Sequence, residues 1–394
     1  MTGFNLQTCA RPNILQLIPY RCARDDYKDD GTNILLDANE NAFGPSLPAS
    51  SYDATLHRYP DPHQHELKQL FCNHRNVGAP LPVVPQTPLT PENLFLGVGS
   101  DECIDALLRA FCVPGRDKIL TCPPTYGMYS VSAQVNDVAV VRHNLVVPEF
   151  GADAAGICEL LASPAGREIK LLYLCSPGNP TGRLIEPAAV KSVLDHPTWN
   201  GVVVVDEAYV DFAAQGSSLA PWVTEFPNLV VMQTLSKAFG LAGIRLGVAF
   251  TSPEIATILN SLKAPYSISS PTSALATAAM GAEGLEVQRV KVAAIVKERE
   301  RLIKELPGIE GVGKFRGGFD ANFLLVEMLD AAGKPCNEVA LKTYEMLAET
   351  RGVVVRFRGK EYGCNGCLRM TVGTPEENTT LLERLAEVLK EVRK

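Results

Sequence analysis

Ser236, Lys237 and Arg245 stand close together in Thr234-Leu235-Ser236-Lys237-Ala238-Phe239-Gly240-Leu241-Ala242-Gly243-Ile244-Arg245. A lysine whose ammonium is partly desolvated, or lies near another cation, loses its proton readily and can form a Schiff base with a carbonyl group. Arg245 and the Ser236 hydroxyl could hold a dianion such as phosphate, with Gly240 and Gly243 allowing close backbone approach. The same stretch also reads as a surface lysine in a glycine-containing turn. Asp206 ends Gly201-Val202-Val203-Val204-Val205-Asp206, and a carboxylate there needs a hydrogen-bonding or cationic partner. A protonated ring nitrogen would serve, as would a helix cap or a salt bridge. Asn179, between Gly178 and Pro180, presents an amide from a rigid turn. Ser100 and Asp101 follow Gly97-Val98-Gly99 at a predicted helix start, where free N–H groups suit a phosphate. Glu102 occupies the place of the third glycine of a dinucleotide fingerprint, so that motif is absent. Tyr126, in Pro123-Pro124-Thr125-Tyr126-Gly127-Met128-Tyr129, either packs in the core or stacks on a flat ring.

These residues need elements to position them. The runs 94–96, 170–174, 202–205 and 229–232 read as buried strands, and Ser100, Asn179, Asp206 and Lys237 fall at or just beyond their carboxyl ends. Ligands bind at that edge in open α/β sheets. From Pro253 the pattern turns helical, over 253–263 and 271–305, and Glu298-Arg299-Glu300-Arg301 reads as a solvated face. A smaller α+β tail follows, with strands at 323–326, 353–356 and 368–372, a helix over 336–350 and a closing helix from Pro375. Arg356 and Arg369 each lie on a tail strand; they are either surface residues or, facing one cleft, a clamp for phosphate or carboxylate. Near the amino end, 13–24 is an amphipathic segment containing Tyr20. Asn41 lies in a polar loop that could line a pocket or only connect, and Tyr59 sits in the rigid turn Arg58-Tyr59-Pro60-Asp61-Pro62. Five prolines between 80 and 91 mark a surface insertion.

With 46% hydrophobic and 21% charged residues, 394 residues can bury a large core in about two domains. Lys+Arg 37 against Asp+Glu 44 gives a net charge of −7, which provides no global field for nucleic acid or an anionic membrane. Anions must be captured locally. No apolar run reaches bilayer-spanning length, and Met1 to Arg11 lacks the pattern of a signal peptide, so a cytoplasmic location is expected. Eleven scattered cysteines suit reduced thiols. Cys364-Asn365-Gly366-Cys367 has no second pair and no nearby histidine, which favours a turn over a metal site; no metal is expected.

A Schiff-base lysine, a carboxylate for a ring nitrogen, an amide and Tyr209 for a ring hydroxyl, an aromatic ring for stacking and three phosphate-binding groups together describe pyridoxal 5′-phosphate. The motifs GVGSDE, PPTYGMYS, SPGNPTG, VVVDEAYVDF and TLSKAFGLAGIRLG resemble those of the fold type I, aspartate aminotransferase-like, pyridoxal-phosphate enzymes. Within them, NILQLIPYRCAR, LDANENAFGP, RYPDPH and CLRMTVGTPEEN resemble the histidinol-phosphate aminotransferases, over about residue 13 to the carboxyl end. The resemblance implies an α/β fold with a mostly parallel seven-stranded sheet between helices in a large domain (46–278), a smaller α+β domain (279–394), and residues 1–45 as an N-terminal arm and part of the small domain. It implies that Lys237 holds the cofactor and moves a proton, that Asp206 keeps the pyridine nitrogen protonated, and that Asn179 and Tyr209 bond the ring oxygen. Tyr126 stacks, while Ser100, Asp101, Ser236 and Arg245 bind the phosphate. Tyr59 reaches a neighbouring subunit's cofactor in a homodimer, and Tyr20, Asn41, Arg356 and Arg369 hold the substrate. The implied reaction is transamination between L-glutamate and imidazole acetol phosphate, giving L-histidinol phosphate and 2-oxoglutarate. An aromatic aminotransferase or a threonine-phosphate decarboxylase would share every cofactor residue. A binding protein of the same fold without turnover, or a P-loop protein, has less support: the reactive set is complete, and no Walker sequence is present. Ala42 stands where the family often has proline, and 80–91 is an addition relative to compact members.

Overall fold

The computed structural model describes residues 3–19, 21–22, 37–47 and 56–393. Seven strands, β1 (Leu94–Val98), β2 (Lys118–Thr121), β3 (Ala139–Arg142), β4 (Ile169–Cys175), β5 (Val202–Asp206), β6 (Leu229–Thr234) and β7 (Leu246–Phe250), form one sheet in the order β1-β7-β6-β5-β4-β2-β3. β3, β2, β4, β5 and β6 pair in parallel, whereas β7 is antiparallel to both β6 and β1. β1 therefore points the same way as the parallel set. The carboxyl ends of β1, β2, β4, β5 and β6 share an edge with the amino end of β7.

The valines of β5 explain its central place. Val203 and Val205 enter one core cluster and Val202 and Val204 the other, so the strand buries both faces at its two-residue period. Helices cover the sheet on each side, giving the α/β arrangement expected from the motifs.

A second, antiparallel sheet is built from β8 (Val312–Arg316), β9 (Phe323–Met328), β10 (Arg356–Phe357) and β11 (Cys367–Thr371), in the order β10-β11-β9-β8. Leu324, Val326, Met328, Leu368 and Met370 bury one face against the Asn337–Thr350 and Pro375–Val392 helices, forming a separate core.

Three expectations are corrected. The helix expected over 271–305 is two, Ser270–Met280 and Ala282–Glu305, separated by an extended Gly281. The strand expected at 353–356 is reduced to Arg356–Phe357, because 353–355 make no ladder. The expected solvated face at 298–301 is wrong for two of its residues: Glu298 and Arg299 are buried. Arg299 Nη1 donates to the carbonyls of Ala321 (2.8 Å) and Phe212 (3.2 Å), and Asn378 donates to Glu298 at 2.9 Å. A charge run read from sequence cannot register carbonyls brought in from distant loops.

The 80–91 segment lies mostly on the surface, held where Trp222 Nε1 donates to the Pro80 carbonyl and where the Leu89 N–H donates to Asn76. All eleven cysteines are free thiols, with Cys364 and Cys367 buried. Among the described residues no helix is long and apolar enough to cross a membrane.

Arg299→Met would leave two carbonyls without their charged donor and should lower stability by about 2 kcal/mol in urea unfolding. The exposed neighbour Glu300 offers a control, since Glu300→Gln should stay within about 0.5 kcal/mol of the parent. Equal stabilities for the two variants would remove Arg299 from the packing account.

Candidate active site

Because five strand ends meet at one edge, the segments that follow them enclose a cavity with about 610 Å³ of empty space, partly open to solvent. Nine expected cofactor residues line it: Ser100 and Asp101 after β1, Tyr126 after β2, Asn179 after β4, Asp206 and Tyr209 at and after β5, and Ser236, Lys237 and Arg245 between β6 and β7. Their convergence follows from topology, since β1 reaches this edge only because β7 reverses direction.

One end of the cavity suits an anion. The Gly99–Phe111 helix begins beside it, and its first N–H groups have no partners within the helix. Arg245 adopts a left-handed backbone with φ 54° and brings its Nη2 within 3.6 Å of Asp101. A Cβ on Gly247 would lie 2.3 Å from the Ser100 nitrogen, so only glycine lets β7 pass this close to the helix start. The Ser236 N–H donates to Thr234 Oγ1 at 3.1 Å, and the two hydroxyls lie 2.9 Å apart. Thr234 also lines the cavity.

The other end holds Asp206, 3% exposed. Its Oδ2 accepts from the Tyr129 hydroxyl at 2.6 Å and its Oδ1 from the Ala208 N–H at 3.1 Å. Burial pushes its pKa up, opposed chiefly by those two donors. Lys237 lies between the two ends, with Nζ 5.7 Å from the centre of the Tyr209 ring. Its pKa is lowered, first by burial and then by the positive charge of Arg369. Tyr126 donates to Asp101 at 3.2 Å, and burial beside that carboxylate pushes its phenol up to about 12.

Arg369 comes from the second sheet. It donates to Asn179 Oδ1 at 2.5 Å and lies over the Phe323 ring, so it meets the cavity wall through Asn179. Arg356 is its direct cross-strand partner and is exposed. Three other expected residues lie elsewhere. Tyr59 stacks on Tyr266 at 4.5 Å, is 52% exposed and does not line the cavity. Asn41 is an exposed turn residue whose side chain accepts from the Phe43 N–H. Tyr20 lies outside the described residues.

Several supporting residues were not singled out from sequence. Tyr129 is the main one; it lies in the helix that begins at Met128, three residues beyond Tyr126, which precedes that helix. Glu207, next to Asp206, accepts from Ser218 and the Leu219 N–H, both at 2.6 Å, and from Gln233 at 2.8 Å; Gln233 accepts from Arg75. Burial raises Glu207 to about 7 despite these donors. Arg358 adds a third cation near Arg356 and Arg369, helping to depress the Arg369 pKa after burial itself.

Residues 26–385 match the family model described as aminotransferase class I and II. The chain is 52% identical over 390 residues to a histidinol-phosphate aminotransferase of Schizosaccharomyces pombe, covering 98% of both chains. It belongs to the histidinol-phosphate aminotransferase family. A relative of the same description from Saccharomyces cerevisiae is 50% identical over 391 residues, again with 98% of each chain covered. Among solved structures, the histidinol-phosphate aminotransferase of Sinorhizobium meliloti in complex with pyridoxal-5′-phosphate matches with a TM-score of 0.73, at 23% identity and 90% coverage of each chain. An L-threonine-O-3-phosphate decarboxylase from Porphyromonas gingivalis also matches, with a TM-score of 0.65, at 17% identity and 85% and 91% coverage. At these identities the structural likenesses speak for the fold alone.

The depressed acidity range of Lys237 makes a measurable claim about the ligand-free protein. Carbonyl reagents followed by reduction should label Lys237 at lower pH than the surface lysines, as read by mass spectrometry. Arg369→Met removes a repelling cation, so the Lys237 profile should move to higher pH. An unmoved profile would show that Arg369 does not act on the amine.

Proposed function

We propose that this chain uses pyridoxal 5′-phosphate to transfer the amino group of L-glutamate to imidazole acetol phosphate, yielding L-histidinol phosphate and 2-oxoglutarate in histidine biosynthesis. The observation that carries the cofactor reading is the polarity of one cavity: anion donors at one end, a buried carboxylate at the other, and an amine of lowered pKa between them. The donor set fits the group. A phosphate matches the helix start, Ser236 and Arg245; a protonated ring nitrogen matches Asp206; an aldehyde matches Lys237. The substrate assignment draws on relatives at 50–52% identity over nearly the whole chain.

Bound pyridoxal phosphate supplies a conjugated ring that delocalises the electron pair left when a substrate carbon loses its proton. The protein's residues do the rest. Asp206 would hold the proton on the ring nitrogen, and as half of that ion pair it would stay ionised against the pressure of burial. Asn179 and Tyr209 would hydrogen-bond the ring oxygen, and Tyr126 would hold the ring face. Ser100 and Asp101, through their backbone N–H groups, join Ser236 and Arg245 in fixing the phosphate. Lys237 Nζ would anchor the cofactor through its aldehyde and, as a free amine, would take up the proton that the substrate Cα gives up. Its lowered pKa suits the second duty, because only a neutral amine can accept that proton.

Arg356 and Arg369, with Tyr20 and Asn41, take the substrate's phosphate or glutamate's carboxylate. Tyr59 serves the partner subunit's site in a homodimer; its place outside its own cavity supports this reading. On this reading residues 46–278 carry the cofactor, 279–394 form the smaller domain, and 1–45 form the arm and part of the smaller domain. The free thiols go with a cytoplasmic location.

The deciding experiment follows the cofactor's absorbance in single half-reactions of the loaded protein. L-histidinol phosphate should convert the cofactor rapidly to its amine form, with L-phenylalanine slow and threonine phosphate inert. Preference for phenylalanine would transfer the assignment to aromatic substrates, and release of carbon dioxide from threonine phosphate would make the chain a decarboxylase. Lys237→Ala should bind cofactor yet lose at least about 10³-fold in rate, in line with loss of a general base and of covalent attachment. Mixing it with Tyr59→Phe should restore activity through the one hybrid site that keeps both residues. No recovery would count against a shared site.

A further inference from the structure

Tyr129 does not line the cavity, yet it touches three residues that do, Asp206, Tyr126 and Cys175. It lies in the Met128–Val135 helix, is 0% exposed, and its hydroxyl sits 2.6 Å from Asp206 Oδ2. Its ring stacks on Tyr173, with centres 4.6 Å apart and planes 19° apart. The ring also meets Tyr126 edge-to-face, at 5.6 Å and 86°. Tyr173 is itself fully buried on β4, so Tyr129 is braced against the sheet and presents its hydroxyl to the carboxylate and its ring to Tyr126.

The chemistry of this contact runs one way. A phenol buried beside a carboxylate has its pKa pushed well above the usual value, so it keeps its proton and donates. That bond favours the ionised form of Asp206 and fixes which oxygen is spoken for: Oδ2 faces Tyr129 and Oδ1 faces the Ala208 N–H. With both oxygens oriented, the carboxylate is held in one plane. Tyr126 is constrained at both ends, by its edge-to-face contact with Tyr129 and by its bond to Asp101.

We propose that Tyr129 is a positioning residue for the cofactor ring, orienting Asp206 toward the ring nitrogen and seating Tyr126 against the ring face. The inference rests on the pyridoxal-phosphate reading of the cavity and goes beyond it, because it assigns a function to a side chain that touches neither cofactor nor substrate.

The test is a double-mutant cycle on cofactor-free protein titrated with pyridoxal phosphate, read by tryptophan fluorescence and by circular dichroism of the bound chromophore. Tyr129→Phe keeps the ring and removes only the hydroxyl. It should weaken the Kd about tenfold, the scale of one hydrogen bond to a charged group, and diminish the dichroic band. In an Asp206→Asn background the same substitution should change the Kd less than about twofold, because its route of action is already gone. Tyr173→Phe, which preserves the stack and leaves Asp206 alone, should bind like the parent. An unchanged Kd for Tyr129→Phe, or an equal loss in both backgrounds, would overturn the positioning role. Wild-type protein that binds no pyridoxal phosphate, or an Asp206→Asn variant with unaltered affinity, would instead overturn the cofactor reading, and this inference with it. Unfolding midpoints of all the cofactor-free variants separate these outcomes from loss of fold.

Discussion

A carboxylate at the end of a fully buried strand is the constraint on which the rest of the site depends. β5 has no polar side chain until Asp206, and both faces of the strand are closed by packing. Leaving that charge without compensation would be costly, so the surrounding sequence is committed to supplying donors. The Ala208 N–H arises because the chain turns immediately after the strand, whereas the Tyr129 hydroxyl arrives from another helix. Glu207 meets the same problem on the opposite side and solves it with Ser218, the Leu219 N–H and Gln233. Two adjacent acids therefore organise two polar clusters, one facing the cavity and one behind it.

Much of this was legible from residue types alone. Four valines followed by an acid, or an apolar run followed by Ser-Lys, place a reactive group at a strand end without knowledge of the fold, because burial on both faces and chemistry at the tip leave different residue patterns. Tyr129 was harder to see. Its position in a helix beside Tyr126 is equally that of a core aromatic, and only the arrival of Asp206 from 77 residues away gives its hydroxyl a purpose. Arg299 failed for a related reason: its neighbours in sequence are charged, but its partners are carbonyls at 212 and 321. Local periodicity reports which face is apolar. It does not report which distant backbone group lies opposite.

The two sheets are joined at the site by specific polar contacts. Arg369 of β11 reaches Asn179, and the loop that carries Asn179 is fastened by the Gly318 and Asp320 N–H groups, which donate to the carbonyls of Thr181 and Gly182 at 2.9 and 2.8 Å. Arg299 ties the turn after Tyr209 to the loop before Phe323. The small sheet is thus tied to the two segments that carry Asn179 and Tyr209, and Arg369 is aimed by its bond to the Asn179 side chain.

The connection between β6 and β7 sets a further condition. Lys237 and Arg245 lie on one excursion whose two strands are already paired antiparallel at Thr234 and Gly247. The Leu235 N–H donates to the Leu246 carbonyl, the Gly240 N–H to that of Lys237, and the Leu241 N–H to that of Leu235. The Gly99 N–H donates to the carbonyl of Arg245, which fastens the far side to the helix start. With both ends and the interior fixed, this loop has no slack: inserting or deleting even one residue would change the span between ammonium and guanidinium. The surface stretch at 80–91 is held at fewer points and can vary in length with far less consequence. Length polymorphism, one of the commonest ways in which proteins diversify, is therefore open to one loop of this chain and closed to the other.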